Sequence, residues 1–119
     1  MIYHLALLDE WQEAQTGDGQ YRRSTLGKSL DEVGYIHTSF AGQAQGVADA
    51  FYRGRPNVVL LTIDPAAVAS EIRVEEVPGT GQSFPHIYGP LPVEAVVAVQ
   101  PLTPDADGRL DLTGHLEVG

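Results

Sequence analysis

The chain has 119 residues, of which 43% are hydrophobic and 19% charged, and this composition predicts one globular domain with a single core. Its formal net charge of −9, from 16 acidic and 7 basic side chains, repels the phosphate backbone of nucleic acids. The lack of cysteine excludes disulfides and thiolate chemistry, and no apolar run approaches the ~20 residues of a transmembrane helix. We therefore expect a cytoplasmic protein with neither a membrane nor a nucleic-acid partner.

The N-terminal residues predict a strand followed by a helix. Residues 2–8 form a short apolar run, which is typical of a buried first strand, and His4 is its ionisable member. Asp9 and Gln12 have the spacing of a capping box, in which two side chains bond the free backbone N–H groups of a helix start. This pattern predicts a short helix that ends by Gly17.

A second capping box precedes the next strand. Ser29 and Glu32 have the S-x-x-E spacing, and Gly34 can adopt the left-handed conformation that ends a helix, so one helical turn is predicted. Residues 35–40 then have the composition of a strand. Its period of two places on one face the side chains of Tyr35, His37 and Ser39.

The middle of the chain predicts one amphipathic helix and one buried strand. Apolar residues recur at steps of three and four from Ala41 to Phe51, and Gly54 and Pro56 end this pattern. The continuous β-rich run at 58–63 is typical of a central strand that is covered on both faces. We expect this strand to lie at the centre of the sheet.

The C-terminal part predicts further strands. Residues 72–77 and 96–100 have strand composition, and between them the extended segment 84–90 places His86 and Tyr88 on one face. About six strands with short helices of unequal length do not repeat as βαβ units, which favours an α+β fold with small mixed or antiparallel sheets. We expect one compact domain over residues 1–112 and a tail at 113–119 that frays.

Three histidines in separate strand segments are the candidate catalytic residues: His4, His37 and His86. Their hydroxyl neighbours are the candidate ligand-binding residues: Thr38, Ser39 and Tyr88. Imidazoles grouped in one cleft could orient the hydroxyls of a ligand or accept a proton near neutral pH. In the alternative interpretation each histidine bonds a backbone carbonyl in the interior, Thr38 is an ordinary strand residue and Ser39 is the N-cap of the next helix.

Metal and phosphate motifs are missing from the sequence. There is no H-x-H or H-E-x-x-H pair and no carboxylate beside the histidines in their motifs, so we predict no metal site. There is also no P-loop and no G-x-G-x-x-G. The sequence carries no signal for an oligomeric state.

Several segments together resemble a known family, among them Y-I-H-T-S at 35–39 and F-P-H-I-Y-G-P-L at 84–91. Over nearly its whole length the chain resembles domain-of-unknown-function family 952, a group of small bacterial proteins. This resemblance implies a fold similar to that of ADP-ribosyltransferases, in which two small sheets form a cleft that holds NAD. It implies that His4 on the first strand, and His37 with Ser39 on the second, contact the dinucleotide.

The sequence is compatible with two functions. The resemblance implies that the protein binds NAD or a related nucleotide in a histidine-lined cleft, with ADP-ribosyl transfer or glycohydrolase-like chemistry. The late catalytic glutamate of many such enzymes has no convincing counterpart among Glu71, Glu75, Glu76 and Glu94. The alternative is a non-catalytic small-ligand sensor or protein-interaction module in which the histidines are structural.

Overall fold

Residues 1–116, which the computed structural model describes, form three small antiparallel sheets with short helices between the strands. The helices are α1 (Leu8–Thr16), α2 (Leu30–Val33) and α3 (Ala41–Phe51). The strands are β1 (Ile2–Leu7), β2 (Gln20–Tyr21), β3 (Ile36–His37), β4 (Val58–Ile63), β5 (Glu71–Val77), β6 (Gln82–Tyr88), β7 (Leu91–Pro92) and β8 (Val96–Leu102). Short 3-10 turns at Pro65–Ala67 and Val93–Ala95 complete these elements.

The first sheet has the order β1-β4-β8, and every residue of its central strand β4 is buried. β4 is antiparallel to β1, with His4 opposite Leu61. A strand that is covered on both faces needs apolar side chains at odd and even positions alike, which its run of valine, leucine and isoleucine supplies. The prediction of a central strand at 58–63 is confirmed.

The second sheet has the order β3-β6-β5 and pairs His37 with His86. β5 and β6 form a hairpin whose turn contains Gly79 and Gly81, both with positive φ. A bridge between Tyr3 and Ser39 connects β1 to the residues just after β3, while β2 and β7 form a separate two-stranded sheet. The two three-stranded sheets therefore meet at the start of the chain.

Two apolar clusters lie on opposite sides of β1, because its side chains alternate. Ile2 and Ala6 belong to the first cluster, which also holds Ile36 and Ile87 of the second sheet. Tyr3 and Leu5 belong to the second cluster, together with the buried alanines of α3. The second sheet therefore packs one face against the first cluster, and its outer face, which carries the odd-numbered residues of β5 and the even-numbered residues of β6, belongs to neither cluster.

Several local predictions are confirmed. Ser29 and Glu32 form the capping box of α2, with Ser29 Oγ accepting from Glu32 N at 3.2 Å and Glu32 Oε1 accepting from Ser29 N at 3.0 Å. Gly34 ends that helix with φ 95°. The helix predicted from Ala41 to Phe51 has those bounds.

The N-caps of α1 and α3 differ from the predictions. Asp9 does not cap α1: Leu7 holds the N-cap position without a side-chain bond, and Leu8 N donates to Asn57 O at 2.8 Å. Ser39 is not the N-cap of α3, because Phe40 holds that position and its N–H donates to the side chain of Gln43. In both cases the orphan N–H group of the helix start has another acceptor.

The strand at 35–40 is shorter than predicted, with regular pairing at Ile36 and His37 alone. At the other end of the chain, residues 113–116 form a turn and Leu116 packs against the second cluster. Residues 117–119, the rest of the predicted tail, lie outside the described residues. No helix within residues 1–116 has the length and hydrophobicity to cross a membrane.

Candidate functional site

The outer face of the second sheet brings together titratable side chains from three strands. β3 contributes His37, β6 contributes His86 and Tyr88, and β5 contributes Arg73 and Glu75. Register explains this grouping, since His86 lies opposite His37 on one side and opposite Arg73 on the other. The period of two then places Glu75 and Tyr88 on the same face.

A chain of hydrogen bonds runs across this face from Glu75 through His86 to His37. Glu75 Oε1 lies 3.0 Å from His86 Nδ1, and His86 Nε2 lies 3.3 Å from His37 Nδ1. No buried side-chain nitrogen or oxygen among the described residues lacks a hydrogen-bond partner. Nε2 of His37 has no partner within residues 1–116, so this nitrogen reaches solvent. The chain therefore starts at a carboxylate and ends at an accessible ring nitrogen.

Aromatic side chains hold His86 in place. The ring of Tyr35 stacks on its imidazole, with ring centroids 4.0 Å apart and planes inclined by 16°. The Tyr88 hydroxyl donates to Glu75 Oε1, the same oxygen that His86 bonds. The guanidinium of Arg73 lies over the Tyr88 ring at 4.2 Å, which is a cation–π contact. Under this cover His86 is buried, while His37, Glu75 and Tyr88 remain partly exposed.

The electrostatics of the outer face keep Glu75 charged and His37 neutral. Hydrogen bonds from Tyr88 and His86 lower the pKa of Glu75, and the bond to Glu75 raises the pKa of Tyr88. Burial, together with the neighbouring charge of His86, lowers the pKa of His37 to about 4. At neutral pH the ring of His37 is therefore unprotonated at one nitrogen.

His4 lies next to the backbone of His37, and both of its ring nitrogens are bonded. Nδ1 lies 2.6 Å from the carbonyl oxygen of His37, and Nε2 lies 2.8 Å from the Tyr21 hydroxyl. The carbonyl only accepts, so His4 Nδ1 carries the proton and Tyr21 donates to Nε2. Burial is the main reason that the pKa of His4 falls to about 4, and burial also raises the pKa of Tyr21. This arrangement is that of the interior histidine in the alternative interpretation.

Of the three predicted hydroxyl residues, Tyr88 lies on the outer face with His37 and His86, whereas Thr38 and Ser39 are buried elsewhere. Thr38 is fully buried and its Oγ1 donates to the carbonyl oxygen of Pro85 at 2.6 Å. The backbone of Ser39 makes two bonds with Tyr3, each of 2.8 Å, and only 3% of Ser39 is exposed. The structure thus groups His37, His86 and Tyr88, and it places His4, Thr38 and Ser39 outside that group.

A small cavity lies between β1, α3 and the segment after β3. It has a volume of about 10 Å³, and its lining includes His4, His37, Ser39, Val47 and Tyr52. A volume of this size holds about one water molecule. A nucleotide at the histidines would therefore have to lie over the outer face and not inside this cavity.

Glu75 is not among the site residues that the sequence predicts, since no carboxylate stands beside the histidines in their sequence motifs. Two local signals point to it. The alternation of residues 72–77 places Arg73 and Glu75 on one face, and the glycine-containing turn predicts that this strand pairs with the one that carries His86. Within residues 1–116 there is no group of three His, Asp or Glu side chains that could hold a metal ion.

Comparison with known proteins places the chain in a family. The model of the family described as "Protein of unknown function (DUF952)" matches residues 5–99. The chain belongs to this family. The resemblance of the sequence to domain-of-unknown-function family 952 is thereby confirmed. No curated protein matches the chain.

Solved structures of one bacterial protein are similar over nearly the whole chain. The crystal structure of protein CC0527 from Caulobacter crescentus is 33% identical, covers 96% of each chain and has a TM-score of 0.84. Its solution NMR structure is 35% identical, covers 97% of this chain and 95% of that one, and has a TM-score of 0.77. The α+β fold with small antiparallel sheets and short helices is confirmed, whereas the likeness to ADP-ribosyltransferases stays a prediction.

Proposed function

We propose that this DUF952 protein binds a small polar ligand over the outer face of the second sheet, and that Nε2 of His37 accepts a hydrogen bond or a proton from it. One observation carries the proposal. The hydrogen-bonded chain from Glu75 through His86 ends at a ring nitrogen that has no partner within residues 1–116 and reaches solvent. A structural imidazole in a finished interior, such as that of His4, has both nitrogens bonded.

The hydrogen bonds from His37 through His86 to Glu75 also stabilise the positive charge that protonation of His37 would create. When Nε2 of His37 takes a proton, the proton on Nδ1 can pass to His86 Nε2. The positive charge then rests on the imidazole that is bonded to the Glu75 carboxylate, and not on His37, whose own pKa is low. A positioned general base of this kind contributes on the order of 10²–10⁴-fold to a reaction rate.

We propose further that the ligand is NAD or a related nucleotide, as the resemblance to ADP-ribosyltransferases implies. In the corresponding reaction the bond between the ribose carbon and the nicotinamide nitrogen breaks, and an acceptor oxygen bonds that carbon. His37 would take the proton of the acceptor, which is water in a glycohydrolase and a hydroxyl group in a transferase. Arg73 lies on the same outer face, over the Tyr88 ring, and could contact a phosphate, although it also pairs with Glu71 at 3.0 Å.

Calorimetric titration with NAD and with ADP-ribose, combined with chromatographic detection of nicotinamide, tests this function. The wild-type protein and His37→Ala are compared, with His115→Ala as the matched control because that histidine lies in the C-terminal turn. We expect binding heat in the wild type and in His115→Ala, and its loss in His37→Ala. Absence of heat from the wild type at millimolar nucleotide would exclude the nucleotide, and equal binding by His37→Ala would exclude the site.

A second candidate is a non-catalytic sensor or interaction module with structural histidines. The saturated bonding of His4 and the small cavity beside it favour this candidate. It predicts that His37→Ala and His86→Ala lower the melting temperature as His4→Ala does, and that none of these substitutions removes a ligand response. Melting curves of the same variants, recorded with and without nucleotide, separate the two candidates.

A further inference from the structure

We infer that Glu75 sets the direction of hydrogen bonding along the chain, so that His37 presents a bare Nε2 and the site selects a ligand group that donates a hydrogen bond. The preferred partner is then an uncharged hydroxyl or N–H group, and an anionic oxygen is disfavoured. This inference rests on the proposed function for its ligand, but the protonation pattern itself can be measured without one.

The Glu75 carboxylate fixes which group donates in the first hydrogen bond. Hydrogen bonds from both His86 and Tyr88 converge on Oε1 of Glu75, and they hold the pKa of that carboxyl low. An ionised carboxylate only accepts. His86 must therefore carry a proton on Nδ1, and with one proton on each imidazole its Nε2 is a lone pair.

In the next hydrogen bond His37 is the donor and His86 the acceptor. His37 Nδ1 lies 3.3 Å from His86 Nε2, and two lone pairs at that distance would repel each other. Nδ1 of His37 therefore carries the proton of the neutral ring, which leaves unprotonated the Nε2 that has no partner within residues 1–116. Without a carboxylate the order would be reversed, because a free imidazole prefers its proton on Nε2, and His86 would then donate towards His37.

The exposed nitrogen determines which ligand group fits. A hydroxyl or amide N–H directed at a lone pair makes a hydrogen bond, whereas a phosphate or carboxylate oxygen in the same place meets a second acceptor and leaves both groups unpaired. The negative charge of Glu75 acts in the same sense, since it lies on the same face as His37. Glu75 is a positioning residue in this account because it acts through His86.

Imidazole ¹⁵N spectra of the labelled protein at pH 8, without ligand, test the direction. This pH lies above the ordinary imidazole pKa of about 6.5. In the wild type we expect protonated Nδ1 and unprotonated Nε2 signals for His37 and for His86. In Glu75→Leu we expect the reverse for both rings. Two controls should keep the wild-type pattern: Glu75→Gln, which retains an acceptor oxygen, and Tyr88→Phe, which removes only the other donor to Glu75.

The wild-type spectrum is decisive even if Glu75→Leu does not fold. A protonated Nε2 on His37 in the wild type overturns the inference, and so does a folded Glu75→Leu protein with an unchanged pattern. Because these spectra contain no ligand, their outcome is independent of whether NAD binds.

The ligand preference is tested by adding sorbitol or inorganic phosphate at equal concentration and following the His37 Nε2 signal. We expect a shift with sorbitol and none with phosphate. A response to phosphate that equals or exceeds the response to sorbitol overturns the preference for a donating group, whatever the protonation pattern.

Discussion

His4 lies on β1 of the first sheet and His37 on β3 of the second, and burial lowers the pKa of both to about 4, yet their environments differ. His4 is 3% exposed, with a carbonyl on one nitrogen and a tyrosine hydroxyl on the other. The imidazole of His37 bonds His86 alone among residues 1–116, and its second nitrogen reaches solvent. A lowered pKa is therefore common to the histidine of the proposed site and to the interior histidine. The two differ in the second ring nitrogen, which is bonded in His4 and has no partner within residues 1–116 in His37.

Removal of each imidazole in turn should give the largest difference in stability between the two histidines. We expect His4→Ala to lower the free energy of unfolding by about 3 kcal/mol or more, because it leaves a cavity and two buried groups without their partner. His37→Ala should cost about 1 kcal/mol, as its ring is partly exposed and makes one side-chain hydrogen bond. Urea unfolding of both variants measures the difference, and equal losses would contradict the division between them.

The lowered pKa that His4 and His37 share should make the stability of the protein depend on pH. Both rings stay neutral in the folded protein down to about pH 4, whereas in the unfolded chain they bind protons near the model value of 6.5. The stability that depends on their neutral state is thus fully present above pH 6.5, and it is lost as the pH falls towards 4. For His4 the full contribution is about 3 kcal/mol by the linkage relation.

Urea unfolding at a series of pH values between 7 and 4 measures this loss. His4→Gln, which cannot titrate, should show a shallower decline than the wild type over that range. An identical decline in the two proteins would show that the neutral state of His4 does not contribute to the pH dependence.

Two tyrosine hydroxyls, one in the interior and one on the outer face, can be removed by the same substitution and compared. Tyr21→Phe removes the donor to His4 Nε2 in the interior and should cost about 1–3 kcal/mol, since a buried acceptor loses its partner. Tyr88→Phe removes a donor to Glu75 at the partly exposed outer face and should cost under about 1 kcal/mol. Thermal unfolding of both variants provides the measurement. A larger loss in Tyr88→Phe would reverse the assignment of interior and site.

Thr38→Val should have a small effect on stability and tests whether Thr38 belongs to the site. It removes the bond from Thr38 Oγ1 to Pro85 O, although Thr38 N still donates to the same carbonyl at 3.1 Å, so we expect a loss of about 1 kcal/mol. Any ligand response measured by calorimetry should remain that of the wild type. A lost response with unchanged stability would return Thr38 to the ligand-binding residues that the sequence predicted.

Local sequence patterns determined much of the secondary structure of this protein. The capping box at Ser29, the helix from Ala41 to Phe51 and the buried strand at 58–63 all follow from spacing within a few residues. The shared face of His86 and Tyr88 follows from the period of a strand, and both side chains contact Glu75. These features depend on neighbours along the chain, so the sequence alone predicts them.

Only the tertiary structure decided which histidines meet and what bonds them. The contact of His37 with His86 joins residues 49 positions apart, and that of His4 with the His37 carbonyl joins residues 33 positions apart. The expected cap at Asp9 failed for the same reason, because Asn57 from a distant segment accepts the bond of Leu8 N. Residue spacing records periodicity, whereas the order and register of the sheets, which set these contacts, depend on packing across the whole domain.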